Sequence, residues 1–282
     1  MSLDEKIRIP ALMRIETTNY CNEACSFCPY PTLEREKGRM SFDLFDEVTD
    51  EHSQRSDARI LFPATVGEPL LDKRIFDFVK LAAQKYGKVS MFTNSSLLDE
   101  ERARKLIEAG LTEIMFTLHG LTADYFRKIT GFKDYEKVRE NIARFLELNV
   151  SEGSPVTVFF NIYSPHEREA VLADGLVSRS VELGINLTIH SIEDAHNWAG
   201  LKDSERKERI KGCGRIYSQF GVLYDGRVVP CCVDSEARYP LGNVNNQSLR
   251  GTFSSEKYLH LQQKEQERML REISLCRYCD LD

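Results

Sequence analysis

Cys21-Asn22-Glu23-Ala24-Cys25-Ser26-Phe27-Cys28 places three thiols four and three residues apart in one short segment. A structural zinc site is closed by four ligands, usually drawn from two Cys-x-x-Cys pairs. Three cysteines in one loop instead suit one face of an iron–sulfur cube and leave its fourth iron open. An open iron can bind a small molecule, so the spacing points to a reactive cluster, with zinc as the alternative. Further along stand Cys213, the pair Cys231-Cys232, and Cys276-Arg277-Tyr278-Cys279. On its own that last Cys-x-x-Cys suggests zinc or a redox pair. Of eight cysteines, three in the loop and four elsewhere leave one over.

The chain has 282 residues, 41% hydrophobic and 29% charged, enough for a sizeable core in one large domain or two. A net charge of -6 and a pI near 5.7 argue against a nucleic-acid partner, whose phosphates need clustered Lys and Arg. No apolar run is long enough to cross a membrane, and Met1-Ser2-Leu3-Asp4-Glu5 lacks the basic start of a secretory signal. A cytoplasmic location is therefore expected, where thiols serve as ligands or reactive groups rather than disulfides.

The elements that position the first loop are repeated βα units, the pattern of an α/β fold with a parallel sheet. Strands are predicted over Leu12 to Thr17, Arg59 to Val66, Val89 to Thr93, Glu113 to Leu118, Val156 to Ile162 and Asn186 to Ser191. Helices are predicted over Phe42 to His52, Arg74 to Lys85, Glu100 to Ala109, Tyr135 to Leu148 and His166 to Leu183. Six units are too few for an eight-stranded barrel, so the expectation is a partial, open (β/α)6 TIM-like barrel. Function in such sheets gathers at the carboxyl ends of the strands. There follow, in order, the cysteine loop, Gly67-Glu68-Pro69, Asn94-Ser95, His119-Gly120, Asn161, and His190-Ser191 with Glu193. His119 and His190 are candidates to orient a substrate hydroxyl or take its proton, against a plain structural role. His52, His166, His196 and His260 are given no role.

Beyond about residue 197 the alternation breaks at the mixed-charge run Lys202 to Arg209, expected to be a solvated connector. Asp225-Gly226 between apolar runs predicts a hairpin of Phe220 to Leu223 with Val228 to Val229, ended by Pro230. A helix is predicted over Ser255 to Ile273. The division is residues 1–200 as barrel and 201–282 as a small α+β domain.

The first loop resembles the CxxxCxΦC signature of radical SAM enzymes, with Phe27 at the aromatic position. The resemblance implies that S-adenosylmethionine chelates the open iron and is split to a hydrogen-abstracting deoxyadenosyl radical. Val66-Gly67-Glu68-Pro69 is similar to the family's GGEP, with Val66 in place of the first glycine. Thr93-Asn94-Ser95 resembles its TNG, and Thr117-Leu118-His119-Gly120 its SLDG or SLHG, followed by Ile129-Thr130-Gly131. Cofactor contacts implied are Phe27, Gly67, Glu68, Pro69, Thr93, Asn94, Ser95, Thr117 and Asn161. The second module resembles the twitch form of the SPASM domain, implying a second 4Fe-4S cluster on Cys213, Cys231, Cys276 and Cys279 beside the first on Cys21, Cys25 and Cys28. A fully ligated second cluster would accept electrons, which points to oxidation.

Taken together the text is similar to sugar-modifying members of the deoxy-scyllo-inosamine dehydrogenase type. That implies a small hydroxyl-rich substrate oxidised from carbinol to ketone, and an external electron donor such as flavodoxin or ferredoxin. Peptide-modifying relatives usually carry a leader-binding domain ahead of the loop, whereas here the first cysteine is already residue 21. Cys232 leaves a second outcome open. As a hydrogen-atom donor it would make the enzyme an epimerase; otherwise it packs as a small apolar residue or replaces Cys231 as a ligand.

Overall fold

The structure is a computed structural model that describes residues 8–191, 195–202 and 208–281. Glu193 and most of the mixed-charge run lie outside the described residues.

Six parallel strands form the barrel wall: β1 (Leu12–Ile15), β2 (Arg59–Phe62), β3 (Val89–Thr93), β4 (Glu113–His119), β5 (Thr157–Tyr163) and β6 (Asn186–His190). Helices α1 (Phe42–Ser53), α2 (Ile75–Lys85), α3 (Glu100–Glu108), α4 (Ala123–Thr130), α5 (Tyr135–Ser151), α6 (Arg168–Leu172) and α7 (Gly175–Glu182) connect them. Spatial order follows chain order from β1 to β6, and β6 stands at a free edge, so the barrel is open, as six units require. Strand side chains alternate. Met13, Ile15, Ile60, Phe62, Val89 and Met91 are fully buried and belong to the apolar core. On β5 the buried Val158, Phe160 and Ile162 alternate with the less buried Phe159, Asn161 and Tyr163, and the last two line a cavity on the sheet's inner face.

The structure corrects several expected boundaries. Strand β2 stops at Phe62 because Pro63 has no N–H to offer the ladder. The single helix expected over His166 to Leu183 is two, because Asp174 caps a new start by accepting from Leu176 N and Val177 N. The last helix, α10 (Glu256–Gln266), ends at a left-handed Arg268 before a 3-10 turn over Leu270–Glu272. Helix α4 had no counterpart in the sequence reading. It starts on a Thr122 cap and ends at the left-handed Gly131.

The carboxy-terminal module extends the barrel's own sheet. After α8 (Arg215–Ser218), β7 (Gln219–Val222) runs parallel to β1, with Arg14 opposite Gly221. Antiparallel β8 (Arg227–Val229) and the short β9 (Gly242–Asn243) then complete a nine-stranded sheet. The expected hairpin is present, and Pro230 follows its second strand. Helix α9 (Leu249–Phe253) is capped by the barrel: Glu51 on α1 accepts from Leu249 N at 2.7 Å and Arg250 N at 2.9 Å.

Candidate active site

The chain from Thr18 to Arg39 leaves the end of β1 and returns, closed by a bridge between those two residues. Asn19 fastens its base, donating to Glu36 O at 2.9 Å and accepting from Gly38 N at 2.8 Å. Within this excursion the cysteine loop rests on the carboxyl end of α4. Ala24 N and Ser26 N donate to Thr130 O and Ile129 O, each at 2.8 Å. Helix ends leave carbonyls without intrahelical partners, and here the loop amides satisfy them.

Gly67 closes the other side. Its φ is +111°, and a Cβ there would lie 2.7 Å from Thr18 O, so only glycine fits. Glu68 N donates to Tyr20 O. The Glu68 carboxylate accepts from Leu70 N at 3.1 Å, Thr93 Oγ1 at 2.9 Å and Asn94 N at 2.8 Å, tying the end of β2 to the end of β3. Burial pushes Glu68 up to about 7 against the pull of those donors. Asn94 Nδ2 in turn donates to Asn22 Oδ1 in the cysteine loop.

Cys21, Cys25 and Cys28 line one cavity together with Phe27, Gly67, Glu68, Thr93, Asn94, Thr117, His119 and Asn161. Pro69, Ser95 and His190 do not line it. Pro69 starts a buried 3-10 turn. Ser95 turns its carbonyl to Asn141 on α5, and His190 stacks on the lining Tyr163 at 4.7 Å between centroids. The sequence reading missed other lining residues: Arg14, Glu23, Tyr163, and from the connector His196 and Trp198.

Burial pushes the Cys28 thiol up to about 11, and Cys21 and Cys25 well above the usual thiol range. Such thiols become thiolates once a cation displaces their protons. Burial likewise pushes Glu23 up to about 8, and its Oε2 accepts from Cys25 Sγ at 3.3 Å. Glu23 Oε1 and His119 Nδ1 are buried without a hydrogen-bond partner among the described residues. The orphaned Glu23 Oε1 beside the three cysteine sulfurs, one buried and two half-buried, fits a site that holds a metal cluster.

Cys213, Cys231, Cys276 and Cys279 line a second, apolar cavity with Pro230. Arg209, itself buried, knits this site together by donating to Cys279 O at 3.1 Å and Lys211 O at 2.9 Å. Glu265 on α10 accepts from Cys213 N at 2.6 Å. Cys232 lines neither cavity. Its hydrogen bond with Cys231, then the charges of Arg14, Arg215 and His196, hold its thiol well below the usual range. The connector lies between the two sites, with His196 and Trp198 on the first cavity and Ala199 on the second. Asn197 pins it to the Cys-x-x-Cys turn through Asp280 Oδ2 at 2.8 Å and Tyr278 O at 2.7 Å.

A three-sulfur loop at the open end of a parallel partial barrel, with four more cysteines gathered beside an extension of the same sheet, is an arrangement suited to an enzyme with a reactive iron–sulfur cluster. Residues 15–174 match the radical SAM superfamily, and residues 213–280 match SPASM, an iron–sulfur cluster-binding domain. The chain belongs to the radical SAM superfamily. Its cofactors are S-adenosylmethionine and 4Fe-4S clusters in both parts.

The chain is similar to a tungsten-containing aldehyde ferredoxin oxidoreductase cofactor-modifying protein of Pyrococcus furiosus. That match is 23% identical over 296 residues, covering 86% of this chain and 81% of that protein. A probable GTP 3',8-cyclase of Saccharolobus solfataricus is 32% identical over 185 residues, 64% of this chain and 56% of the relative, so that match spans little over half of the cyclase. Among solved structures, BtrN in complex with AdoMet and 2-DOIA aligns with a TM-score of 0.68 at 19% identity, over 97% of this chain and 94% of BtrN. The enzyme anSMEcpe with bound AdoMet aligns at 0.63 and 16% identity, over 96% and 88%. At these identities both show the shared fold. No helix among the described residues is long and apolar enough to cross a membrane.

Proposed function

We propose that this radical SAM enzyme removes a hydrogen atom from a C–H of a small hydroxyl-rich substrate and oxidises the carbinol to a ketone. The observation that carries this reading is the one short connector between the two cysteine-lined cavities, with Trp198 on one and Ala199 on the other. Close sites suit transfer of the second electron out of the substrate. BtrN, which shares the fold across 97% of the chain, holds AdoMet together with 2-DOIA, in keeping with a small molecule beside the cofactor.

In this reading Cys21, Cys25 and Cys28 hold one cluster and Cys213, Cys231, Cys276 and Cys279 the other, with residues 1–200 and 201–282 as the two parts. When bound, the first cluster and S-adenosylmethionine supply hydrogen abstraction, and the second accepts an electron. The protein supplies the rest. Phe27, Gly67, Thr93, Asn94, Thr117 and Asn161 bound the space for the cofactor, and Glu68 and Pro69 hold that space in shape. His119, with Nδ1 unpartnered at the cavity, is placed to take the hydroxyl proton. An external donor such as flavodoxin or ferredoxin starts each turnover.

The test is product analysis in deuterated water, after a panel of inositols, aminocyclitols and hexoses has been screened for accelerated deoxyadenosine formation. A product lighter by two hydrogens, without solvent deuterium at the reacting carbon and still formed by Cys232→Ala, is the expected result. One deuterium gained there, with Cys232→Ala forming deoxyadenosine but no product, would replace oxidation by epimerisation.

A further inference from the structure

Arg14 points to the chemical class of the substrate. It lies on β1 itself, between the fully buried Met13 and Ile15 that face the helices, so alternation turns it to the inner face, where it lines the first cavity. Its Nε donates to Ala64 O at 3.0 Å, and its guanidinium stacks on Phe92 at 5.6 Å from the ring centroid. Those contacts fix the plane of the fork. Its charge helps to hold the Cys232 thiol low, but that thiol lies outside the cavity, so the cavity side of the fork is left to a ligand.

Arg14 is half-buried, and a guanidinium held in place at a cavity wall favours an anion that can meet its fork. Glu23 lines the same cavity, accepts from Cys25 Sγ through Oε2 and leaves Oε1 unpartnered among the described residues, but forms no ion pair with Arg14; the other two carboxylates nearby are committed. Glu16 is bound by Arg35, and Glu68 accepts from three donors of its own turn and of β3. Among the described residues no carboxylate forms an ion pair with Arg14, and no other Lys or Arg lines this cavity. The cysteine loop and the Gly67 turn lie beyond the ends of their strands, whereas Arg14 lies within one, deeper in the barrel.

We infer that Arg14 is an anion subsite, so that the hydroxyl-rich substrate carries a carboxylate or a phosphate. The guanidinium fork matches either group through two parallel hydrogen bonds, a match that lysine cannot make. This inference rests on the proposed reading for the location of the cofactor, and its test does not require turnover.

The anaerobically reconstituted, S-adenosylmethionine-loaded protein is titrated calorimetrically with inorganic phosphate and with malonate. At least one should bind with a dissociation constant in the millimolar range or tighter. Arg14→Gln should weaken it at least tenfold, and Arg14→Lys by less. Phosphate alone would assign a phosphate ester, and malonate alone a carboxylic acid. Binding of neither, or equal binding by wild type and Arg14→Gln, overturns the inference. So does loss of S-adenosylmethionine affinity in Arg14→Gln with anion binding unmoved. Iron content verifies each variant, and Arg14→Lys carries the comparison should Arg14→Gln fail to fold. Deoxyadenosine formation, measured separately, reports on the radical SAM reading and not on the subsite.

Discussion

Arg35 donates through Nη1 to Glu16 Oε1 at 2.8 Å, and the two side chains are 3% and 0% exposed. Glu16 follows β1, and Arg35 follows the cysteine loop, so the pair shuts the excursion that carries the first three sulfurs. Arg35 Nε also donates to Ser235 O, and Glu236 accepts from Glu34 N at 2.9 Å and Arg35 N at 3.1 Å. The first cysteine loop is thereby tied to the residues just after Cys231-Cys232.

Removing one partner of a buried ion pair strands the other charge, at a cost of about 3–5 kcal/mol. Arg35→Met should lower stability by that amount in urea unfolding of the reconstituted protein, and the double variant Glu16→Gln/Arg35→Met should recover most of it. A loss below about 1 kcal/mol for Arg35→Met would mean that the pair is not a brace.

Gly67→Ala should damage the first site and spare the second. The added Cβ meets backbone at Thr18 O, which cannot swing away as a flexible side chain would. Iron analysis should show about half the wild-type content, with deoxyadenosine formation reduced at least tenfold. Full iron content and unchanged cleavage would contradict the close approach.

Acid stability should depend on His52. Burial lowers it to about 4, and its ring meets Tyr86 Oη at 3.2 Å and Pro10 O at 3.0 Å. Its folded value lies below its unfolded one, so between pH 6.5 and 4 the unfolded state binds the extra proton. Its contribution is thus fully present above about pH 6.5 and is lost as pH falls through that window, by at most about 1.4 kcal/mol per pH unit. The slope of stability against pH should be shallower in His52→Gln over this range. An identical slope would show that His52 already titrates normally in the fold.

Much of the barrel was legible because the strands are short, mostly apolar runs and most of the helices between them are periodic. Helix α4 was not, since its residues are few and the stretch 117–131 was taken as motif text, although Thr122 and Gly131 signal its two ends. The joining of β7 to β1 pairs residues about 207 positions apart, as Leu12 with Gln219, and leaves no local trace in sequence. In the site, the cysteines stood out through type and spacing, and all seven expected ligands fall on two cavities. His196 and Trp198 were missed because a connector has no periodicity to say which way it faces. Arg14 was missed although a lone charge inside Leu-Met-Arg-Ile was the available clue.

The division of seven sulfurs into three and four is tested most directly by iron and acid-labile sulfide analysis of the Cys21→Ala/Cys25→Ala/Cys28→Ala variant after anaerobic reconstitution. The account predicts one intact 4Fe-4S cluster per chain, held by Cys213, Cys231, Cys276 and Cys279, with no deoxyadenosine formed. A variant that keeps two clusters, keeps none while still folded, or takes up zinc in their place would contradict it.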